Sequence, residues 1–243
     1  MAVAPMPLPD LSRVHDRYLA LSRSAAVPLA GKLLLRLCFD AEGVAGAVAA
    51  SVAGAATLCV DADAEALRAG LRAGLCDFVV GNLDEALRIL KNEVRRGLPV
   101  TVCLSADPET CAREMAERGV QPDLLSEAGA ATEGTRAMIE RGALRLTEDA
   151  EAEAGTSLLR WSVATDAART MPRIAAIAVD CLDAAVASTP ERRRWLEISP
   201  RYLGRALGGQ QCVRMTPEEA TAFITRMRAE APGAKVERDR EAV

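Results

Sequence analysis

Histidine is almost absent from this sequence: His15 stands alone in a chain of 243 residues. A lone imidazole cannot build a multi-histidine metal site. His15 falls in an expected N-terminal helix, so no Ser/His/Asp or Cys/His catalytic set can be assembled around it. Aromatic residues make up only 3%, which leaves few platforms for stacking bases. No apolar run approaches the roughly 20 residues of a membrane span. The opening MAVAPMPLPD has neither the basic region nor the long apolar region of a signal peptide. Paired cysteine motifs are lacking too. Cys38, Cys59, Cys76, Cys103, Cys111, Cys181 and Cys212 include no CxxC and are odd in number. Cys38, Cys59 and Cys103 sit in apolar runs, where a reduced thiol packs as a small hydrophobe. Free thiols in a reducing cytoplasm, with no disulfide frame and no metal site, are therefore expected. The net charge of −4 gives no global attraction to nucleic acid.

Hydrophobic residues make up half the chain and charged residues 26%, enough to bury a real core. Between Gly31 and Leu146 short β-like runs alternate with helix-length amphipathic runs. The expected strands are Lys32–Phe39, Ala56–Asp61, Asp77–Gly81, Pro99–Ser105 and Pro122–Ser126. Helices are expected over Gly43–Ala53, Ala62–Gly74 and Asn82–Gly97, and from Pro108 to Arg118 behind an Asp107 N-cap. The strands are near-continuously apolar, as in a sheet covered on both faces. Their alternation with helices predicts α/β architecture: a Rossmann-like, three-layer parallel sheet with right-handed crossovers. The acidic stretch Thr147–Thr156 reads as a linker. Beyond it the pattern changes to a mostly helical C-terminal segment. A short strand SLLRWSV is followed by helices over Pro172–Ala187, from Thr189, and from the capping box Thr216-Pro217-Glu218-Glu219, and then by a charged, frayed tail after Pro232. The expected domains are 1–146 and 157–243.

In such a fold a dinucleotide lies at the turn after the first strand, where glycines let backbone amides approach the pyrophosphate. Here that turn reads Phe39-Asp40-Ala41-Glu42-Gly43-Val44-Ala45-Gly46. As a generic GxGxxG it fails. Val44 and Ala41 place β-carbons where close approach is needed, and Asp40 and Glu42 add negative charge worth about 1 kcal/mol of repulsion each after solvent screening. The candidate cofactor-binding residues are Gly43, Gly46 and Asp61. Asp61, at the end of the second strand, has the placement that binds a ribose hydroxyl, or simply caps the next helix. Asp40 and Glu42 read as a cation or basic-ligand site, or as a solvated turn. A second cluster, Arg192-Arg193-Arg194-Trp195 with Arg201, Tyr202 and Arg205, reads either as a basic face for RNA or phosphate or as a solvated helix with Trp195 in the core.

The order of these pieces is more specific than any one of them. Ala30-Gly31 opens the first strand, Gly43 lies in the loop and Asp61 closes the second strand. Leu83-Asp84-Glu85-Ala86-Leu87 follows on a helix, then Arg118-Gly119-Val120 with Pro122-Asp123. This collinear set, over residues 29–126, resembles the central Rossmann-like domain of the urocanase (urocanate hydratase) family. The resemblance implies NAD, which in that family acts as the electrophile for the urocanate ring, and a place in histidine degradation. The departures are as informative. Cys38, Asp40, Ala41 and Val44 replace loop glycines, and Gly46 stands where the family has glutamine. Ala106-Asp107-Pro108 replaces a Gly-Asn-Ala turn, and Ser126–Thr132 lacks the family's Thr-Asp-Gln-Thr-Ser-Ala-His. The flanking halves with their catalytic cysteine have no counterpart, and Cys181, in Val-Asp-Cys-Leu, is no match. No catalytic residue is assigned. The reading is a non-catalytic, urocanase-like protein, cytoplasmic, that binds a small ligand or a partner protein. NAD is open only through the resemblance, homo-oligomerisation is open, and nucleic acid and membrane are not expected. The alternatives are a truncated NAD-dependent urocanate-hydratase-type lyase and a basic-helix RNA- or phosphate-binding module.

Overall fold

The computed structural model describes residues 9–25, 28–126, 131–146, 155–203 and 209–238. The chain divides into two units, Met1–Ala150 and Glu151–Val243. The first begins with helix α1 (Leu11–Ser24). It continues through β1 (Leu33–Arg36), α2 (Ala41–Ala53), β2 (Ala56–Asp61), α3 (Ala64–Ala73), β3 (Phe78–Val80), α4 (Leu83–Arg96), β4 (Val100–Ser105), α5 (Pro108–Glu117), β5 (Leu124–Ser126), α6 (Glu133–Glu140) and β6 (Leu144–Arg145). The six strands form one sheet in the order β3-β4-β2-β1-β5-β6, and every pairing is parallel. The Rossmann-like parallel sheet read from the sequence is thus what the chain forms.

The apolar strands explain the layering. Side chains alternate across a strand, so an uninterrupted apolar run fills both faces. Leu35, Ala56, Leu58, Val60, Val102 and Leu104 pack with Leu87 and Leu90 of α4, Met115 of α5 and Met138 of α6. On the opposite face Thr101 shares a 3.1 Å hydrogen bond with Ser51 of α2. Burying a leucine fully is worth about 1.5–3 kcal/mol, and Leu35, Leu58 and Leu90 are each at most 1% exposed. Helix α2 consists of small residues because it is enclosed: Gly43 through Ala53 are all buried, and α1 packs against it. Local chemistry sets the helix ends. Asp10, Asp40, Asp63, Asn82, Asp107 and Thr132 each accept an N-cap hydrogen bond. Gly74 and Gly97 close α3 and α4 in the left-handed conformation. Helix α6 and strand β6 were not anticipated.

The second unit is built on β7 (Ser157–Val163), α7 (Ala167–Asp180), α8 (Thr189–Ile198), a 3-10 turn (Ser199–Arg201), β8 (Gln210–Met215), α9 (Pro217–Glu230) and β9 (Ala234–Arg238). Helices take the larger share of it, as expected, but they rest on a three-stranded antiparallel sheet in the order β8-β7-β9. The tail after Pro232 does not fray through Arg238: it pairs with β7 as β9. The helix expected over Pro172–Ala187 runs instead from Ala167 to Asp180, with Pro172 inside it. Asp166, in the left-handed region at φ 54°, makes the turn into it. Thr216 and Glu219 form the reciprocal capping box of α9. Trp161 meets Phe223 with ring centroids 5.0 Å apart, and the Trp195 indole N–H donates to the Cys212 carbonyl at 2.6 Å. Most of the acidic stretch Thr147–Thr156 lies outside the described residues. No helix among those described is long and apolar enough to cross a membrane.

Candidate functional site

Strand order reverses at β1: the chain builds outward through β2 to β4 and β3, then returns across β1 to β5 and β6. Ligands of open α/β sheets bind outside the carboxyl ends of the strands at such a point. Here that place is the loop from Leu37 to Asp40, the first turn of α2, and the ends of β2 and β4.

The structure brings Gly43, Gly46 and Asp61 to this region and gives each a partner within the protein. Asp40 caps α2: its Oδ1 accepts the Gly43 N–H at 2.8 Å, and its carbonyl accepts the Val44 N–H at 2.9 Å. Gly43 is required by packing, since a β-carbon there would lie 2.5 Å from the Cys38 carbonyl oxygen. Gly46 lies directly over the guanidinium of Arg36, and a β-carbon would run into it. Asp61 accepts the Phe39 N–H through Oδ2 at 2.8 Å and the Asp63 N–H through Oδ1 at 2.9 Å. It fastens the end of β2 to the loop after β1. Asp63 in turn caps α3 through the Glu65 and Ala66 N–H groups. The acidic residue is therefore a latch between two turns as well as a helix entry.

The repulsion expected from both loop carboxylates needs correction. Asp40 is exposed, but Glu42 turns onto α1, where it pairs with Arg13 at 2.6 Å and with Arg17 at 2.7 Å. Its charge is largely neutralised, so Asp40 is the anion that remains at the helix N-terminus. Arg36, 3% exposed at the end of β1, was overlooked in the sequence. Its signal was there, as a single charge inside KLLLRLCF. With Arg17, Leu34, Gly46 and Leu146 it lines a recess hardly larger than one water molecule.

At the end of β4, Asp107 caps α5 by accepting the Thr110 N–H at 2.8 Å. Hydrogen bonding from Thr110 holds its carboxyl below the usual carboxylate range. The Ala106 N–H donates to the Asp61 carbonyl at 3.1 Å, joining this turn to the same loop cluster. His15 is buried in α1 with Nδ1 3.4 Å from Asp16 Oδ1. All seven cysteines are free thiols, and no group of three or more His, Cys, Asp or Glu among the described residues is arranged to hold a metal.

In the second unit the basic face read at Arg192–Arg194 loses its first member. Arg192 is fully buried and pairs with Glu219 at 2.6 Å. Arg193 and Arg201 are exposed, Trp195 is in the core, and Arg205 lies outside the described residues.

The crevice does not fit a pyrophosphate as built. An anion at a helix N-terminus needs free amides and the positive end of the macrodipole, and here the chain's own Asp40 carboxylate takes the Gly43 amide at that end. Val44 is fully buried beneath the turn, so its β-carbon cannot swing clear. Both glycines are needed for helix packing.

A family model described as the urocanase Rossmann-like domain matches residues 18–144, which takes in β1 through β5, the latch at Asp61 and the capped turn of α2. By that match and by the sheet that carries it, the chain belongs to the urocanase family.

Proposed function

We propose that this chain is a non-catalytic member of its family, a pseudoenzyme that binds a small ligand or a partner protein instead of hydrating urocanate. One observation carries the reading: the Asp40 carboxylate occupies the Gly43 amide at the helix terminus where a pyrophosphate would bind. The chemistry around it supports the same conclusion. General acid–base work needs a carboxyl or imidazole free to exchange a proton with a substrate. Asp40, Asp61 and Asp107 all accept backbone N–H bonds, and His15 is enclosed in α1. Free thiols throughout agree with a reducing, cytoplasmic setting; a place beside histidine degradation rests on the family alone.

Calorimetry with NAD and a urocanate absorbance assay test this directly. The expected result is no NAD binding tighter than about 10 µM, a threshold equivalent to roughly 7 kcal/mol, and no loss of urocanate absorbance. Tighter binding, or absorbance lost in proportion to added protein, would overturn the reading in favour of an NAD-dependent lyase. Asp40→Ala supplies a further check: freeing the Gly43 amide should raise NAD affinity if the carboxylate is what closes the site.

A further inference from the structure

Helix α4 carries a charge pattern that its own packing does not explain. Arg88, Lys91 and Arg95 stand at i, i+3 and i+7, all exposed, and none has a hydrogen-bond or ion-pair partner among the described residues. Like charges three or four residues apart destabilise a helix. Neighbouring surface arginines are treated differently: Arg68 pairs with Glu65, Arg96 with Glu93, and Arg118 with Asp84 and Glu114.

The three cations line an open cleft together with Ile89, Asn92 and Phe78. Phe78 belongs to β3, the outermost strand on that side, which pairs with β4 alone. The Asp77 N–H donates to the Thr101 carbonyl, at the start of β4, at 2.9 Å. The Ala106 N–H donates to the Asp61 carbonyl on the β2 side, so Thr101, Cys103 and Ser105 of β4 face β3. In the register of Phe78 with Val102 and Val80 with Leu104 they bond Phe78 and Val80, and the N–H and C=O groups of Val79 turn toward the open edge. Val80 is buried in the core formed with α4, whereas Phe78, on the same face two residues earlier, is 45% exposed. Such edges are commonly blunted by lysine or proline, and β3 has neither. Glu93, the carboxylate lining this cleft, is drawn off by Arg96 at 2.9 Å and by Asn92 at 2.6 Å.

We propose that this cleft is a docking site for an extended acidic segment of a partner protein. The segment adds to the β3 edge as a strand and sets its carboxylates against Arg88, Lys91 and Arg95. The spacings agree. Alternate residues of a strand repeat at about 6.8 Å, and steps of three and four residues along a helix advance about 4.5 and 6 Å. Carboxylates at every second position of the segment thus meet successive cations, which flexible side chains bring into register. Main-chain pairing supplies affinity and the charges supply selection. A nucleotide chain matches this surface poorly, because it has no partner for the strand edge and finds one aromatic side chain, Phe78, to stack on. The proposal is independent of the closed α2 N-terminus, and either can fail alone.

The test uses the full chain and fluorescent eight-residue peptides that alternate Glu with Val or with Phe, followed by polarisation. Peptides with Lys or Gln in place of Glu, and a single-stranded oligo(U), serve as comparisons. The Arg88→Ser, Lys91→Ser, Arg95→Ser triple variant removes the charges without touching the core. Val79→Pro blocks the open edge and leaves the pairing of Phe78 and Val80 with β4, since the Val79 N–H faces away from it; Val79→Ala controls for the lost side chain. Far-UV circular dichroism verifies that each variant folds. The expected result is saturable binding of a Glu peptide, weakened at least tenfold in the triple variant and in Val79→Pro, and much less in Val79→Ala. No binding of either Glu peptide at about 1 mM, roughly 4 kcal/mol, would overturn the proposal. So would equal binding of the Lys or Gln peptides, tighter binding of oligo(U), or indifference to the triple variant or to Val79→Pro.

Discussion

Replacing Arg192 by methionine removes the centre of the polar network that joins α8, α9 and β8. The Arg192 guanidinium donates to Glu219 Oε2 at 2.6 Å and Oε1 at 3.1 Å, to Thr189 Oγ1 at 2.7 Å and to the Arg214 carbonyl at 3.1 Å. Glu219 also accepts the Asp183 and Thr216 N–H groups at 2.7 and 2.8 Å. Both side chains are buried, at 0% and 2% exposure. An intact buried pair adds little net stability, because desolvation offsets the attraction. Removing one partner strands the other charge and costs about 3–5 kcal/mol. In Arg192→Met the Glu219 carboxylate keeps two backbone donors and loses its counter-ion, so the full range applies.

Both tryptophans of the chain, Trp161 and Trp195, lie in the second unit, so their emission follows that unit alone while far-UV ellipticity follows both. With a urea slope of about 1.5 kcal/mol per M for a unit of this size, the emission midpoint should fall by roughly 2 M or more. The ellipticity change of the first unit should stay in place. The Arg192→Met, Glu219→Leu double variant should be milder than the sum of the singles by about 2–3 kcal/mol, because no charge is left stranded. It will still lose about 1 kcal/mol with the capping box. A midpoint shift under about 0.5 M for Arg192→Met, or strict additivity in the cycle, would show that the pair is not the keystone described here.

Three further outcomes can be measured. Gly46→Ala forces a β-carbon into the Arg36 guanidinium and should lower stability by about 1–3 kcal/mol through overpacking. Gly81→Ala, where nothing lies within 4 Å of the added carbon, should be near neutral; equal urea midpoints for the two would refute the packing role of Gly46. Among the thiols, Cys38 and Cys181 are only partly buried and should react first with a thiol reagent, with the other five following on unfolding. Burial pushes Cys111 from 9.0 up to about 12, and hydrogen bonding with Cys59, then Cys76, raises Cys103. A raised thiol favours the neutral, folded form. Its contribution is complete below the unfolded value near 9.0 and is lost as pH climbs toward about 12. The first unit should therefore weaken above pH 9 or so, and a urea midpoint by ellipticity unchanged between about pH 8 and pH 10.5 would contradict this.

Much of the first unit was legible because its signals are local and redundant. Uninterrupted apolar strands, N-capping aspartates and closing glycines all point to the same alternation, and the collinear family residues fall on it. The second unit was less legible. β8 and β9 are held by pairing with β7 across a long stretch of chain, and nothing local marks Ala234–Arg238, with three of its five residues charged and largely exposed, as a strand. Pro172 misled in a physical way. The preference of proline for the first helical turn is a statement about the missing N–H, and here one more turn precedes it, opened by the Arg169 and Thr170 N–H groups donating to the Asp166 carbonyl.

The same distinction runs through the candidate site. Sequence spacing placed Gly43, Gly46 and Asp61 near one another, but spacing is silent on what each residue faces. Gly46 meets Arg36 across the α2–β1 contact, and the half-buried Asp61 is committed to the Phe39 and Asp63 amides. Glu42 faces two arginines of α1, a helix whose docking depends on apolar positions such as Val14, Tyr18 and Leu21. A glycine at a loop position is thus compatible with two opposite functions, admitting a ligand or admitting the protein's own atoms. The deciding residue is its neighbour. Here Asp40 caps α2 through the Gly43 amide and Arg36 fills the space beneath Gly46, so the chain's own atoms take up that donor and that space. Freeing the Gly43 amide with Asp40→Ala should regain part of an anion site, and opening room at Val44 as well should regain more, since each change leaves the other obstruction in place.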